Sequence, residues 1–239
     1  MLDRRALLTG VGALGAGLLA PGGGRSQVAA TMPPPPTPGS PAPPPAPSDT
    51  DLSALARAQL DRLGRQIPRR DRVVMVDFAQ PSWIPRLHLL DLEGGRRDSL
   101  LVAHGCGSDP DFTGWLKRFS NQEGSQASSE GAYRGGGAYH GLHGLSLRLD
   151  GLDPTNDQAR RRDVVVHSAL YVSPDVVRLA GKTGWSEGCF AIDRVDRARV
   201  LATLEGGRML FAARLSQASA TAAVTDAVTD AVTGAVTGM

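Results

Sequence analysis

Between residues 164 and 192 the chain reads VVVHSALYVSPDVVRLAGKTGWSEGCFAI, and this stretch limits the folds open to it. Val164, Val165 and Val166 are β-branched, stiff at χ1 and suited to a buried strand. They end directly on His167 and Ser168. Ser186, Glu187, Gly188 and Cys189 form a turn-like block followed at once by apolar Phe190, Ala191 and Ile192. The pattern predicts a strand that delivers an imidazole and a glycine-flanked turn that delivers a thiol. A nucleophilic cysteine needs a base held on a rigid scaffold, and this stretch supplies both. Three other readings compete: a disulfide between Cys106 and Cys189, a buried core thiol, and a satisfied core histidine at 167.

From Asp71 onward the rest of the chain alternates with the period of strands. Residues 72–78 and 86–92 are two candidates, and 99–104 is the return strand of a hairpin turning at Glu93, Gly94 and Gly95. Residues 145–149 alternate again, and 209–213 make a last strand. Residues 105–127 are rich in Gly, Ser, Asp and Asn, but Trp115, Leu116 and Phe119 give this long loop a packing role. A helix is expected over 193–204, capped by Asp193, with Val195, Ala198, Leu201 and Ala202 turned inward. Before the strands, Leu52, Leu55, Ala56, Gln59, Leu60 and Leu63 form a helical stripe over 51–67, with Ser48 or Asp49 as cap. The expected fold class is mainly β, a sandwich or barrel with a few peripheral helices.

The ends have a different character. Arg4 and Arg5 precede a Gly/Ala/Leu run that is too short for a confident membrane span. Residues 1–30 are expected to be a twin-arginine export signal, with Val28, Ala29 and Ala30 as the cleavage region. The expected location is the periplasm or cell wall, and any membrane association would come through an uncleaved signal. Residues 31–50 are a proline-rich linker that favours extended polyproline II. Residues 70–215 form the main domain, and residues 216–239 end in an Ala-Val-Thr repeat read as low-complexity tail. A net charge of +2, with both signs interspersed, gives no case for nucleic acid as a partner.

Over residues 70–213 the chain resembles the L,D-transpeptidase (YkuD-type) catalytic domain. The resemblance rests on His167 and Ser168 followed by Ser186, Glu187, Gly188 and Cys189, on the upstream block 128–133, and on the hairpin ending in Val102, Ala103, His104 and Gly105. It departs at Glu187, where many members have a second His, and at Phe190 and Ala191 after the cysteine. The resemblance implies a YkuD-like fold and acyl transfer on peptidoglycan stem peptides. Cys189 would be the nucleophile, His167 the base and Ser168, through its carbonyl, the orienter. The Gly188 and Cys189 amides would donate to the oxyanion, with Ser186 in support. It implies no cofactor and no metal, and carbapenem-type β-lactams as covalent inhibitors.

Tyr139 and His143 are candidates for the substrate groove, and Cys106 reads as an incidental thiol. A metal site built from His104, His140 and His143 is disfavoured because no helix spacing or paired carboxylates support it. A papain-like enzyme is disfavoured by chain order, since no His follows Cys189, and a serine hydrolase lacks its Gly-x-Ser-x-Gly elbow. L,D-carboxypeptidase activity and a catalytically silent wall-binding module are the remaining alternatives.

Overall fold

The computed structural model describes residues 41–215. The expected export segment, the first half of the linker and the repeat tail lie outside the described residues. In chain order the elements are α1 (Asp49–Leu63), β1 (Arg72–Asp77), β2 (Leu87–Asp91), β3 (Arg96–Leu100), β4 (Val102–Ala103), β5 (Gly131–Gly141), β6 (Gly144–Gly151), β7 (Val165–Ser168), α2 (Pro174–Ala180), β8 (Phe190–Ile192), α3 (Arg197–Leu204) and β9 (Met209–Ala213).

The strands form one sheet in the order β3-β2-β1-β9-β5-β6-β7-β8-β4. Its two edge strands, β3 and β4, are separated in the chain by Leu101 alone. One residue spans about 3.5 Å, so the sheet has to curl until its edges nearly meet. The mainly β, barrel-like expectation therefore holds. The expected 99–104 return strand divides at this point: Arg96–Leu100 pairs with β2, whereas Val102 and Ala103 pair with β8.

The inside of the curl is filled by Val74, Val76, Tyr133, Leu147, Leu149, Val166, Phe190 and Ile192, and closed by Val200, Leu201 and Leu204 of α3. The outer side of β1 and β9 is covered by α1, whose Leu52, Leu55, Ala56, Leu60 and Leu63 bury against Val73, Met75, Leu90 and Met209. Strand β1 is therefore buried on both faces, which explains its unbroken Val-Val-Met-Val run. A third cluster sets Val177 of α2 with Val172, Ala103 and Ala191 on the outer side of β8.

Helix ends follow local chemistry. The Ser48 side chain accepts from the Asp51 N–H, and Gly64 stops α1 with a φ of 52°. Just before α1, the Pro44 carbonyl accepts from Gln80 Nε2 at 2.9 Å and the Pro47 carbonyl from Arg97 at 3.1 Å. The last residues of the proline segment thus lie bound to the domain. Helix α3 begins at Arg197, four residues later than expected. Asp193 instead closes a turn, accepting from the Val195 N–H through Oδ1 and from the Asp196 N–H through its carbonyl. That turn rotates the helix, so Val195, Ala198 and Ala202 are exposed while Val200, Leu201 and Leu204 are buried. Helix α2 was not expected, although Ser173 as cap, Pro174 in the first turn and left-handed Gly181 at the end mark it.

Burial of α1 makes a direct prediction. Leu60 is 2% exposed and Leu142 is 96% exposed. Leu60→Ala is expected to lower unfolding stability by about 2–4 kcal/mol and Leu142→Ala by less than about 0.5 kcal/mol, read from guanidinium chloride denaturation.

Candidate active site

The site grows from the pairing of β7 with β8, which run parallel with Val166 beside Phe190, His167 beside Ala191 and Ser168 beside Ile192. Side chains alternate along a strand, so Val166 and Phe190 enter the core while His167 faces outward. Continuing the register by one residue sets Cys189 beside Val165, two residues from His167 and on the same outward face. Both side chains line one cleft of about 840 Å³, together with Tyr139, His143, Arg148, Tyr171, Trp185 and Glu187. Of the expected site residues, Tyr139, His143, His167, Ser186 and Cys189 meet here. His140 does not line it, and His104 is buried elsewhere.

His167 Nδ1 lies 3.2 Å from the Ser168 carbonyl oxygen. A carbonyl only accepts, so Nδ1 carries the proton and Nε2 keeps its lone pair. Burial pulls the His167 pKa down to about 4; the Ser168 carbonyl opposes this, and the neighbouring His143 adds to it. The His143 ring stacks on His167 with centroids 4.2 Å apart and planes at 22°. The imidazole is therefore neutral near pH 7 and able to accept a proton.

Burial pushes the Cys189 thiol above its ordinary pKa, against the lowering effect of the Val165 backbone and the Arg162 charge. The hydrogen-bond partner of the thiol is the Asp163 carbonyl oxygen, at 3.5 Å, rather than the imidazole. Asp163 has a φ of 51°, a left-handed conformation that Asp tolerates better than most residues. It turns the chain into β7 and places that carbonyl.

The cysteine turn is held by its own side chain and by the 104–106 segment. Ser186 Oγ donates to the Cys189 carbonyl at 2.7 Å and accepts from the Gly188 N–H at 3.2 Å. The Gly188 amide is thus engaged by the Ser186 hydroxyl in this structure. The Ser186 N–H donates to the His104 carbonyl at 3.0 Å, and the Cys106 N–H to the Ser186 carbonyl at 2.8 Å. A Cβ on Gly105 would lie 2.2 Å from the Gln126 oxygen and 2.7 Å from Gly188 backbone atoms, so only glycine fits. Cys106 and Cys189 are both free thiols, so the disulfide reading does not hold in this structure. Among the described residues no group of three His, Cys, Asp or Glu side chains is placed to hold a metal ion.

Two supports were not visible in the sequence. Arg162 donates to the carbonyls of Ser120 and Ala127 and to the hydroxyls of Ser129 and Ser125, tying the long loop beneath Cys189. Arg86, fully buried, donates to the Val102 and Gln80 carbonyls and to His104 Nδ1 at 2.7 Å. Because Arg only donates, His104 carries its proton on Nε2, which faces Asp109 Oδ2 at 3.5 Å. Burial works against the Asp109 carboxylate, but donation from His104, Thr113 and Gly114 holds its pKa below the ordinary range. This buried row fixes the end of β4, against which the cysteine turn sits.

Residues 48–213 match the family model of the L,D-transpeptidase catalytic domain. The chain belongs to that family. Its structure is similar to a variant of the helical cell shape determining protein Pgp2 from Campylobacter jejuni, at 11% identity and a TM-score of 0.41, over 75% of this chain and 62% of that one. An L,D-transpeptidase from Mycobacterium smegmatis matches at 10% identity and a TM-score of 0.36, over 60% and 58% of the two chains. The L,D-transpeptidase LdtMt1, solved in complex with imipenem, matches at 12% and 0.35, over 60% and 59%. The chain thus spans about three-fifths of the length of these structures. No curated protein matches it significantly.

The buried imidazoles predict a pH dependence. Burial pulls His88, His104 and His167 from 6.5 to about 4. Between those values the unfolded chain binds more protons at these sites than the folded one, so stability falls as pH drops through the window. Asp77, raised to about 6 mainly by burial, contributes in the opposite sense, its share being lost as pH rises. Three groups outweigh one, so the urea midpoint should fall from pH 7 to pH 5. A flat or rising profile would contradict the neutral, buried histidines.

Proposed function

We propose that this protein is an exported peptidoglycan L,D-transpeptidase working through a Cys189 thioester. The observation that carries the proposal is that His167 and Cys189 open from one strand face into one cleft, with Nε2 of His167 unprotonated. Family membership supports the reaction class, and the carbapenem found on a structural neighbour motivates the inhibitor class.

In the proposed reaction the Cys189 thiol leaves its hydrogen bond to the Asp163 carbonyl and passes its proton to His167 Nε2 as sulfur attacks the carbonyl of the stem peptide's diaminopimelate–D-Ala bond. The resting pair is neutral on both sides, so proton transfer accompanies attack rather than preceding it. Arg162 favours the developing thiolate, since its charge is offset by neutral acceptors only. With the Gly188 amide held by Ser186, the Cys189 N–H is the remaining candidate from this turn to donate to the oxyanion. The tetrahedral adduct collapses, His167 returns the proton to the departing amine, and D-Ala leaves. An acceptor amine then attacks the thioester, loses its proton to His167, and the thiol is regenerated. Water as acceptor gives the carboxypeptidase alternative. No step calls for a cofactor. We further propose that residues 1–30 direct the chain to the periplasm or cell wall, where the substrate lies.

Intact-mass analysis after exposure to imipenem tests the nucleophile. Wild-type protein should gain one acyl adduct at Cys189, Cys189→Ala none, and His167→Ala should acylate about 10²–10⁴-fold more slowly. An unmodified wild type, or labelling of Cys106 to the same extent, would contradict the assignment and favour a silent wall-binding module.

A further inference from the structure

Strand β5 contains a feature that the reaction does not use. Gly135 pairs with Leu149, but Ala138 pairs with Leu147, so β5 carries one residue more than β6 across Gly136 and Gly137. Before this bulge Tyr133 lies on the core face, with Leu149. An unbroken strand would keep Tyr139 on that same face, six residues on. The extra residue reverses the alternation, as bulges do, and Tyr139 pairs with Ser146 on the outward face. Room is made by glycine: a Cβ at Gly135 would lie 2.2 Å from the Leu204 carbonyl oxygen, and one at Gly136 would lie 3.1 Å from that of Arg148.

Arg148 shares this outward face, because it pairs with Val165 while its neighbour Leu147 pairs with core residue Val166. Its guanidinium carbon sits 4.1 Å from the centre of the Tyr139 ring. Both side chains line the cleft that holds Cys189. Among the described residues the Arg148 guanidinium makes no ion pair or hydrogen bond. Asp150, two residues along the same strand, is already held by Arg134 and Arg160. The other cleft arginine, Arg162, spends its donors on the loop beneath the site. Arg148 is thus a cation with open donors, oriented by an aromatic face.

We infer that Arg148, positioned by the Tyr139 bulge, binds a carboxylate of the donor peptide and is a specificity-determining residue. This rests on the reading of the cleft as the donor-peptide site. Two strand spacings, about 10 Å, separate the Arg148 and Cys189 backbones, and the guanidinium leans further away over Tyr139. The D-Ala carboxylate, about two bonds beyond the scissile amide nitrogen, is too near the thiol to reach it. The carboxylate at the far end of the diaminopimelate side chain fits the span. Lysine at the third position has the same chain and ammonium but no such carboxylate, so the anchor selects diaminopimelate over lysine.

The test is binding of synthetic D-Ala-ending tetrapeptides, with diaminopimelate or lysine third, to the full chain carrying Cys189→Ala, followed by titration calorimetry. The diaminopimelate peptide should bind about tenfold or more tightly, a preference removed by Arg148→Gln and reduced by Tyr139→Leu, with Tyr139→Phe close to the parent. Arg148→Lys, which keeps the charge without the planar stack, should retain part of it, and its thermal melting should match the parent. Equal binding of the two peptides, no binding of either, or a preference that survives Arg148→Gln would overturn the inference. Turnover by wild-type protein separates it from the proposed activity. A protein that processes both peptides equally keeps the activity and loses the anchor; one that binds selectively but processes neither keeps the anchor and loses the activity.

Discussion

The parallel pairing of β7 with β8 is the constraint on which the rest of the molecule depends. It brings residues more than twenty positions apart into one register, His167 beside Ala191, and so sets the imidazole and the thiol on one face. Parallel neighbours need a long crossover, and residues 169–189 supply it, with α2 packed over the outer side of the pair. The opposite faces of the same strands, Val166, Phe190 and Ile192, lie in the core. A one-residue slip would exchange the core residues with the site residues, so the burial that stabilises the fold also enforces the geometry of the site.

A second layer fixes what the pairing leaves free, the turn before Phe190. That turn sits on the His104, Gly105 and Cys106 backbone through two hydrogen bonds and a contact only glycine allows. The 104–106 segment is in turn anchored by Arg86, which donates to His104 Nδ1, while Asp109 faces the other ring nitrogen across 3.5 Å. Burial pulls the Arg86 pKa to about 9, still cationic near neutrality. The segment under the cysteine turn is thus held by Arg86, His104 and Asp109, none of which lines the cleft.

Much of this was legible in the sequence where the signal is local. The Met209–Ala213 strand, the α1 stripe and the strand ending on His167 follow from periodicity and agree with the structure. The Ser168 carbonyl beside His167 was named from the family resemblance, not from residue type or spacing, and spacing left open whether Ser186 orients or caps the cysteine turn, whose ends its hydroxyl bridges. The misses have physical causes. The Asp193 turn delayed α3 because an Asp side chain closes a turn as readily as it caps a helix. The return strand split at Leu101 because curling of the sheet is a long-range event. Arg86 and Arg162 gained their roles from partners distant in sequence, and arginines on this chain's surface look no different in a row of letters.

The proposed reaction is acyl transfer through Cys189 with His167 as base. Its most direct test is incubation of the protein with a diaminopimelate-containing tetrapeptide and an excess of a second D-amino acid, with products read by mass spectrometry. Wild type is expected to lose D-Ala and gain the added amino acid, and Cys189→Ala to do neither. D-Ala exchange that persists in Cys189→Ala, or its absence from a folded wild type that binds the peptide, would contradict it.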